Sequence, residues 1–152
     1  MSSSWEQFEE LIKQEMRKTF SEAAIEHSMN PKNLGELEDA DGFARVTGPC
    51  GDTMDIWLKV KGGAISDLGF MTDGCGTSIA SGSMVTELAK GKNLAEAHRI
   101  SQHDVLDGLG GLPEESQHCA LLAANTLKAA IKDYLQVQKE PWKKDYRQRP
   151  GG

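Results

Sequence analysis

Cys50, Cys75 and Cys119, spaced 25 and 44 residues apart, are the residues whose surroundings point to chemistry. Cys50 lies in TGPCGDTM, residues 47–54, enclosed by Pro49 and Gly51 and followed two positions later by Asp52. Cys75 lies in DGCGTS, and Cys119 directly follows His118. A cysteine used only for packing sits among apolar neighbours, as a small hydrophobe does. Two of these thiols are instead wrapped in glycine, which lets a metal or cluster approach the backbone closely. Cys119 alone falls on an apolar stripe and could be core. The spacings are too wide for a zinc-finger knuckle and suit a site assembled by the fold. An odd count in a reducing compartment argues against a disulfide framework, leaving metal binding or thiol chemistry against three inert buried thiols. Asp52 adds a hard oxygen donor and His118 a borderline nitrogen. The set has one donor more than a four-coordinate metal needs, which suits a site that loads and releases cargo. Taken singly, Asp52 reads equally as a turn cap and His118 as an ordinary residue at a helix start. His27, His98 and His103 have no cysteine neighbour and read as surface or structural residues.

The elements that must position these groups follow from periodicity. Trp5, Phe8, Leu11, Ile12, Met16 and Phe20 recur at helical spacing over residues 5–20, with Ser4 and Gln7 resembling a capping box. This amphipathic helix is expected to pack on the domain or on another copy of it. A short helix follows from Ser21 to about Ser28 and ends near NPKNLG, where Pro31 and Gly35 are breakers. From Phe43 the period becomes two. Met54, Ile56, Leu58 and Val60 alternate with polar partners, Gly62 and Gly63 turn the chain, and Leu68 and Phe70 resume the alternation. The pattern is a β-hairpin with one buried face, and a strand around Phe43–Thr47 can pair beside it. Ile79, Met84, Val85 and Leu88 then define a helix closed by Gly91, and Asn93 with Glu96 caps a short one through Ile100. A third small piece, SQHDVLDGLGGLP, ends in glycines and proline. The last helix runs from about Glu115 to Gln138, with a stripe of Cys119, Leu122, Ala123, Leu127, Ala130, Ile131 and Tyr134 or Leu135. Strands first and helices after, without βαβ alternation, predict an α+β domain: a small antiparallel three-stranded sheet packed against several helices, the last of them long. The expected organisation is a helical extension over 1–20, a domain over 21–138 and a mobile charged tail over 139–152. On this map every thiol falls at the end of an element, and loop tips at one end of a small sheet can converge. Cys119, in the first helical turn, feels the positive end of the macrodipole, which favours the thiolate.

Composition narrows the function classes. The 152 residues are 38% hydrophobic, enough for one real core. The net charge is -6 and no basic stripe of the kind nucleic-acid binding normally needs is visible, and no apolar run is long enough to span a bilayer. The start, MSSSWEQFEE, is acidic where a signal peptide is basic and then apolar, so a cytosolic protein is expected. A Ser-His-Asp or Cys-His hydrolase is unsupported, because His118 adjoins Cys119 and the other thiols lack a separate base.

NPKNLG, GPCGDTM, TDGCGTSIASGSMVTELAKGK and HCALLAANTLKAAI, in this order, resemble the IscU/NifU-type iron–sulfur cluster assembly scaffolds from about Ser21 to Tyr134. The resemblance implies that Cys50, Cys75 and Cys119 hold a nascent cluster, with Asp52 and His118 at the family's aspartate and histidine positions. It also implies that a cysteine desulfurase delivers sulfur as persulfide, that iron enters, and that a transient two-iron, two-sulfur cluster forms and passes to apo-proteins. Zinc binds at the same site in such scaffolds, as a thiolate-rich set with N and O donors would allow. Cys119, beside an imidazole in a first helical turn, is the expected persulfide acceptor, and Cys50 and Cys75 complete the seat. Asp52 is expected to keep the site labile, since a hard carboxylate is a poor partner for a soft iron–sulfide core. His118 is assigned as a ligand or a proton shuttle.

Three departures qualify the resemblance. Members served by a dedicated chaperone pair carry Leu-Pro-Pro-Val-Lys shortly before the His-Cys pair. Here the stretch is LPEES, Leu112 to Ser116, with two acids and no lysine, which puts chaperone recognition in doubt. The SufU branch carries a longer insertion before its last cysteine and no histidine there, so the scaffold branch fits better. The cysteine-rich domains of longer NifU proteins are missing, and the additional N-terminal helix is expected to dock a partner or form a homo-oligomer. The leading expectation is thus a scaffold or carrier without substrate turnover. A zinc-containing persulfide-relay sulfurtransferase of the SufU type is the alternative, and an inert zinc-stabilised interaction domain the plainest one.

Overall fold

A computed structural model describes residues 3–140. The order is α1 (Ser4–Met16), α2 (Glu22–Met29), β1 (Gly42–Thr47), β2 (Thr53–Lys61), β3 (Ala64–Thr72), α3 (Gly76–Ala89), α4 (Leu94–His98), α5 (Gln102–Gly108) and α6 (Gln117–Lys139), with a 3₁₀ turn at Glu114–Ser116 before α6. The strands form one antiparallel sheet in the order β1-β2-β3, so the predicted α+β class, the three-stranded sheet and the long last helix are all present.

The hairpin turns at Gly62 and Gly63, both at positive φ, the backbone a two-residue turn between twisted strands requires. Its register pairs Ile56 with Phe70 and Leu58 with Leu68. These four side chains and Met54 are buried on one face of the sheet. On the other face Phe43 and Trp57 lie opposite each other with ring centroids 5.2 Å apart. The free edge of β3 is covered rather than open. Gly35 N–H donates to the Phe70 carbonyl at 2.8 Å and Phe70 N–H to the Asn33 carbonyl at 2.9 Å, while Ile65 N–H donates to the Lys92 carbonyl at 2.9 Å. NPKNLG therefore does more than stop a helix: it blunts an edge that would otherwise template pairing.

Helices α3 and α6 lie on the buried face. At Gly82 an added Cβ would overlap the Phe70 ring, so the missing side chain is what lets α3 sit this close to β3. Buried Ser78, Ser81, Ser83 and Thr86 make α3 nearly as enclosed on its polar sides as on its apolar one. α6 buries Cys119, Leu122, Ala123, Leu127, Ala130 and Ile131, and its stripe continues through half-buried Tyr134 to Val137, leaving Leu135 exposed.

The N-terminus differs from expectation in three ways. The cap of α1 is Ser3, whose hydroxyl accepts from Glu6 N–H at 3.1 Å, so the Ser4–Gln7 pairing does not form. The helix ends at Met16 rather than Phe20, because Ser21 starts α2 by accepting from Ala24 N–H and donating to the Leu109 carbonyl. α1 also buries none of its residues; Trp5 is 66% exposed. Of the charged tail expected over 139–152, Lys139 instead ends α6, and residues 141–152 lie outside the described residues.

Replacing Gly82 by Ala forces the Phe70 ring or α3 to move within a close-packed core. It is expected to cost about 1–3 kcal/mol, read as a lower urea midpoint at unchanged slope.

Candidate functional site

Each thiol is positioned by a different element: a turn, a helix cap and a first helical turn. Gly48, Pro49, Cys50 and Gly51 form the β1–β2 turn, closed by Gly51 N–H donating to the Gly48 carbonyl at 3.0 Å. Pro49 presets the turn, Cys50 projects from it into solvent, and Gly51 takes a φ of 87° that a side chain would resist. Asp52, at the exit, points back toward the helices.

The β3–α3 loop is clamped onto the start of β2. The Asp73 carboxylate accepts from Thr53 N–H at 2.7 Å, and the Thr72 hydroxyl donates to the Thr53 carbonyl at 2.8 Å. This clamp delivers Cys75 to the N-cap of α3, where its sulfur lies 3.1 Å from the Thr77 hydroxyl. That hydroxyl is the main reason the Cys75 thiol ionises more readily than an ordinary cysteine. Partial burial works against it, the Thr77 and Ser78 amides add to it, and the charge of Asp52 opposes it. No amide reaches the geometry of a full capping hydrogen bond.

Cys119 sits in the first turn of α6 and is 2% exposed, at the boundary between core and site. Its sulfur is 3.6 Å from His118 Nε2, 3.4 Å from Thr77 Oγ1 and 3.5 Å from Ser78 Oγ. One ligand atom from each of Asp52, His118 and Cys119 lies within 4.8 Å of the other two, an oxygen, nitrogen and sulfur set suited to a borderline cation. Four of the five predicted donors are thus linked: three directly, and Cys75 through the Thr77 hydroxyl. Cys50 stands apart in its exposed turn. All three cysteines are free thiols. His98 and His103 are exposed, and His27 is engaged elsewhere, with Nδ1 2.6 Å from Ser83 Oγ and burial holding its imidazole toward the neutral form. Sequence reasoning missed Thr77 and Ser78. Their only signal was a pair of hydroxyl residues directly after the glycine-flanked cysteine.

A group of thiol, carboxylate and imidazole donors at one end of a small α+β layer defines a domain that can handle metal or sulfur. Residues 19–141 match the family described as NifU-like N terminal domain, and the chain belongs to that family. It is 48% identical over 117 residues to the iron–sulfur cluster assembly scaffold protein IscU 1 of Archaeoglobus fulgidus, covering 76% of each chain. It is 45% identical over 120 residues to the iron–sulfur cluster assembly scaffold protein IscU of Escherichia coli K12, covering 76% of this chain and 93% of that one. A crystal structure of a nitrogen-fixing NifU-like protein (N-terminal) from Brucella abortus superposes with a TM-score of 0.61 at 21% identity, covering 76% of this chain and 94% of that one, a likeness of fold alone.

The readier ionisation of Cys75 predicts that alkylation of metal-free protein by iodoacetamide, mapped by mass spectrometry, rises at Cys75 with a midpoint pH below that of an ordinary cysteine. Cys119 should be modified slowly at every pH, because its sulfur is shielded from reagent.

Proposed function

We infer that the protein is an iron–sulfur cluster assembly scaffold. The observation that carries this is the convergence of donors from three separate elements, with Asp52 and His118 beside Cys119 and Cys75 one hydroxyl away. Thiolates are the donors that iron–sulfur clusters take, and the scaffold names of relatives above 40% identity support the same reading.

In this reading a cysteine desulfurase presents a persulfide, and the Cys119 thiolate attacks its terminal sulfur. The desulfurase cysteine leaves as thiolate, and Cys119 becomes the persulfide. His118, 3.6 Å from that sulfur, takes the thiol proton. Cys119 is 2% exposed, so this step requires its surroundings to open when the desulfurase docks. Reduction of each sulfane sulfur to sulfide takes two electrons, drawn from ferrous iron and an external reductant. Cys50, Cys75 and Cys119 hold the resulting two-iron, two-sulfur cargo, which passes to an apo-protein. Asp52 keeps it transferable, because a hard carboxylate holds such a core weakly. Zinc is the competing occupant of the same donors.

The scaffold unit is taken as residues 21–138, with 1–20 an extension for docking or self-association and 139–152 a tail. That α1 has no buried residue and that the family match begins at residue 19 support setting the extension apart. Among the described residues no helix is long and apolar enough to cross a membrane, and free thiols suit a reducing compartment such as the cytosol.

The test is an anaerobic visible spectrum taken while a cysteine desulfurase, cysteine, a thiol reductant and ferrous iron are added. Sulfide-to-iron charge-transfer bands should grow, then fade when an apo-ferredoxin is introduced. Their absence, together with tightly held zinc and a faster desulfurase, would transfer the protein to the persulfide-relay class. Serine at any one of positions 50, 75 or 119 should abolish the stable bands while leaving far-ultraviolet circular dichroism intact. Asp52→Ala should lengthen the lifetime of the bound cluster, and an unchanged lifetime removes the role assigned to Asp52.

A further inference from the structure

Two hydroxyls stand between the candidate ligands, and neither has another evident task. Thr77 Oγ1 is 3.1 Å from the sulfur of Cys75 and 3.4 Å from that of Cys119. Ser78 is wholly buried, with its Oγ 3.5 Å from Cys119 Sγ and 3.2 Å from Asp52 Oδ2. Serine and threonine in a first helical turn ordinarily bond to their own local backbone. These two instead reach residues distant in the chain, Cys119 on α6 and Asp52 in the β1–β2 turn. The turn that carries them is held in place. Ser81 Oγ donates to the Thr77 carbonyl at 2.8 Å, and Ser78 N–H donates to the Cys75 carbonyl at 3.0 Å. Gly74 leaves room for the arrangement, since a Cβ there would overlap the Ser78 hydroxyl and stand 3.0 Å from Asp52 Oδ2.

We propose that Thr77 and Ser78 are positioning residues for the cargo site: their hydroxyls hold Cys75, Cys119 and Asp52 in register before a metal ion or sulfur arrives. The proposal rests on the reading of these donors as a metal seat. Each hydroxyl carries one hydrogen but touches two ligand atoms, so it donates to one and accepts from, or merely spaces, the other. Three ligand groups from three elements are thereby kept near one point without closing on each other. Once a metal ion takes the sulfurs, the same hydroxyls remain as donors to the ligand atoms, as outer-shell groups of metal sites do.

Cobalt(II) is the probe, titrated anaerobically into the full chain and followed by its sulfur-to-cobalt charge-transfer and visible bands, with a thermal melt of each variant alongside. Thr77→Val keeps the shape and removes the hydroxyl; Thr77→Ser keeps the hydroxyl and removes the methyl. Thr77→Val and Ser78→Ala are expected to weaken cobalt binding about tenfold or more, and Thr77→Ser to bind like the parent. Parent-like affinity in Thr77→Val overturns the proposal, and so does a Thr77→Ser as weak as Thr77→Val, because packing of the methyl would then be the cause. The titration needs neither desulfurase nor iron. A protein that loses cobalt affinity as expected but never builds a cluster keeps this inference and loses the scaffold reading. One that builds a cluster while ignoring Thr77→Val does the reverse, and a parent that holds no cobalt loses both.

Discussion

At Gly42 the backbone of β1 runs so close beneath α6 that an added Cβ would stand 2.7 Å from the Ala130 carbonyl oxygen and 2.9 Å from the Tyr134 Cβ. That approach seats the long helix on the sheet, and the apolar stripe from Cys119 to Val137 is buried as a consequence. A helix laid down along most of its length leaves its first turn no freedom to wander. His118 and Cys119 are therefore delivered to the end of the sheet where the β1–β2 turn and the start of α3 already lie. The same economy of volume operates at Gly82, where α3 drops onto Phe70 and brings its first turn level with that of α6. The site is the place where two tightly packed helices begin.

Its candidate donors are held with unequal stiffness. Cys119 is anchored in the core, Cys75 is fixed at a helix cap by a clamped loop, and Cys50 rides on a turn exposed to solvent. Packing forces govern the first, hydrogen bonds the second, and only local turn chemistry the third. Rigid donors preorganise a site, whereas the thiol on the exposed turn is held by local geometry alone. The Ser78 hydroxyl belongs to the stiff part, because a buried polar group that is satisfied adds order to its surroundings.

The elements were legible because their signals are local. Period two through Met54, Ile56 and Leu58, paired glycines at 62–63, Asn93 ahead of Glu96 and the apolar spacing of α6 each state a conformation within a few residues. Errors came where locality runs out. The Ser4–Gln7 pattern competed with Ser3 as a cap and lost, since several serines in a row leave the register to small differences in geometry. The Phe20 end of the apolar stripe did not extend α1, because Ser21 found a carbonyl on the far α5 segment. NPKNLG showed its breakers, but not that its backbone would pair with Phe70.

The sequence by itself determined the class of fold, the identity of the five candidate donors and the family to which the chain belongs, for these depend on residue types, their periods and their order. Only the tertiary structure decided how the donors are distributed: Asp52, His118 and Cys119 grouped, Cys75 joined to them through a hydroxyl, Cys50 held apart in solvent. It also decided that Thr77 and Ser78 stand among them. Distances between side chains so far apart in the chain are set by how closely helices pack on the sheet, and that closeness depends on missing side chains at Gly42 and Gly82 whose neighbours are named nowhere in the sequence.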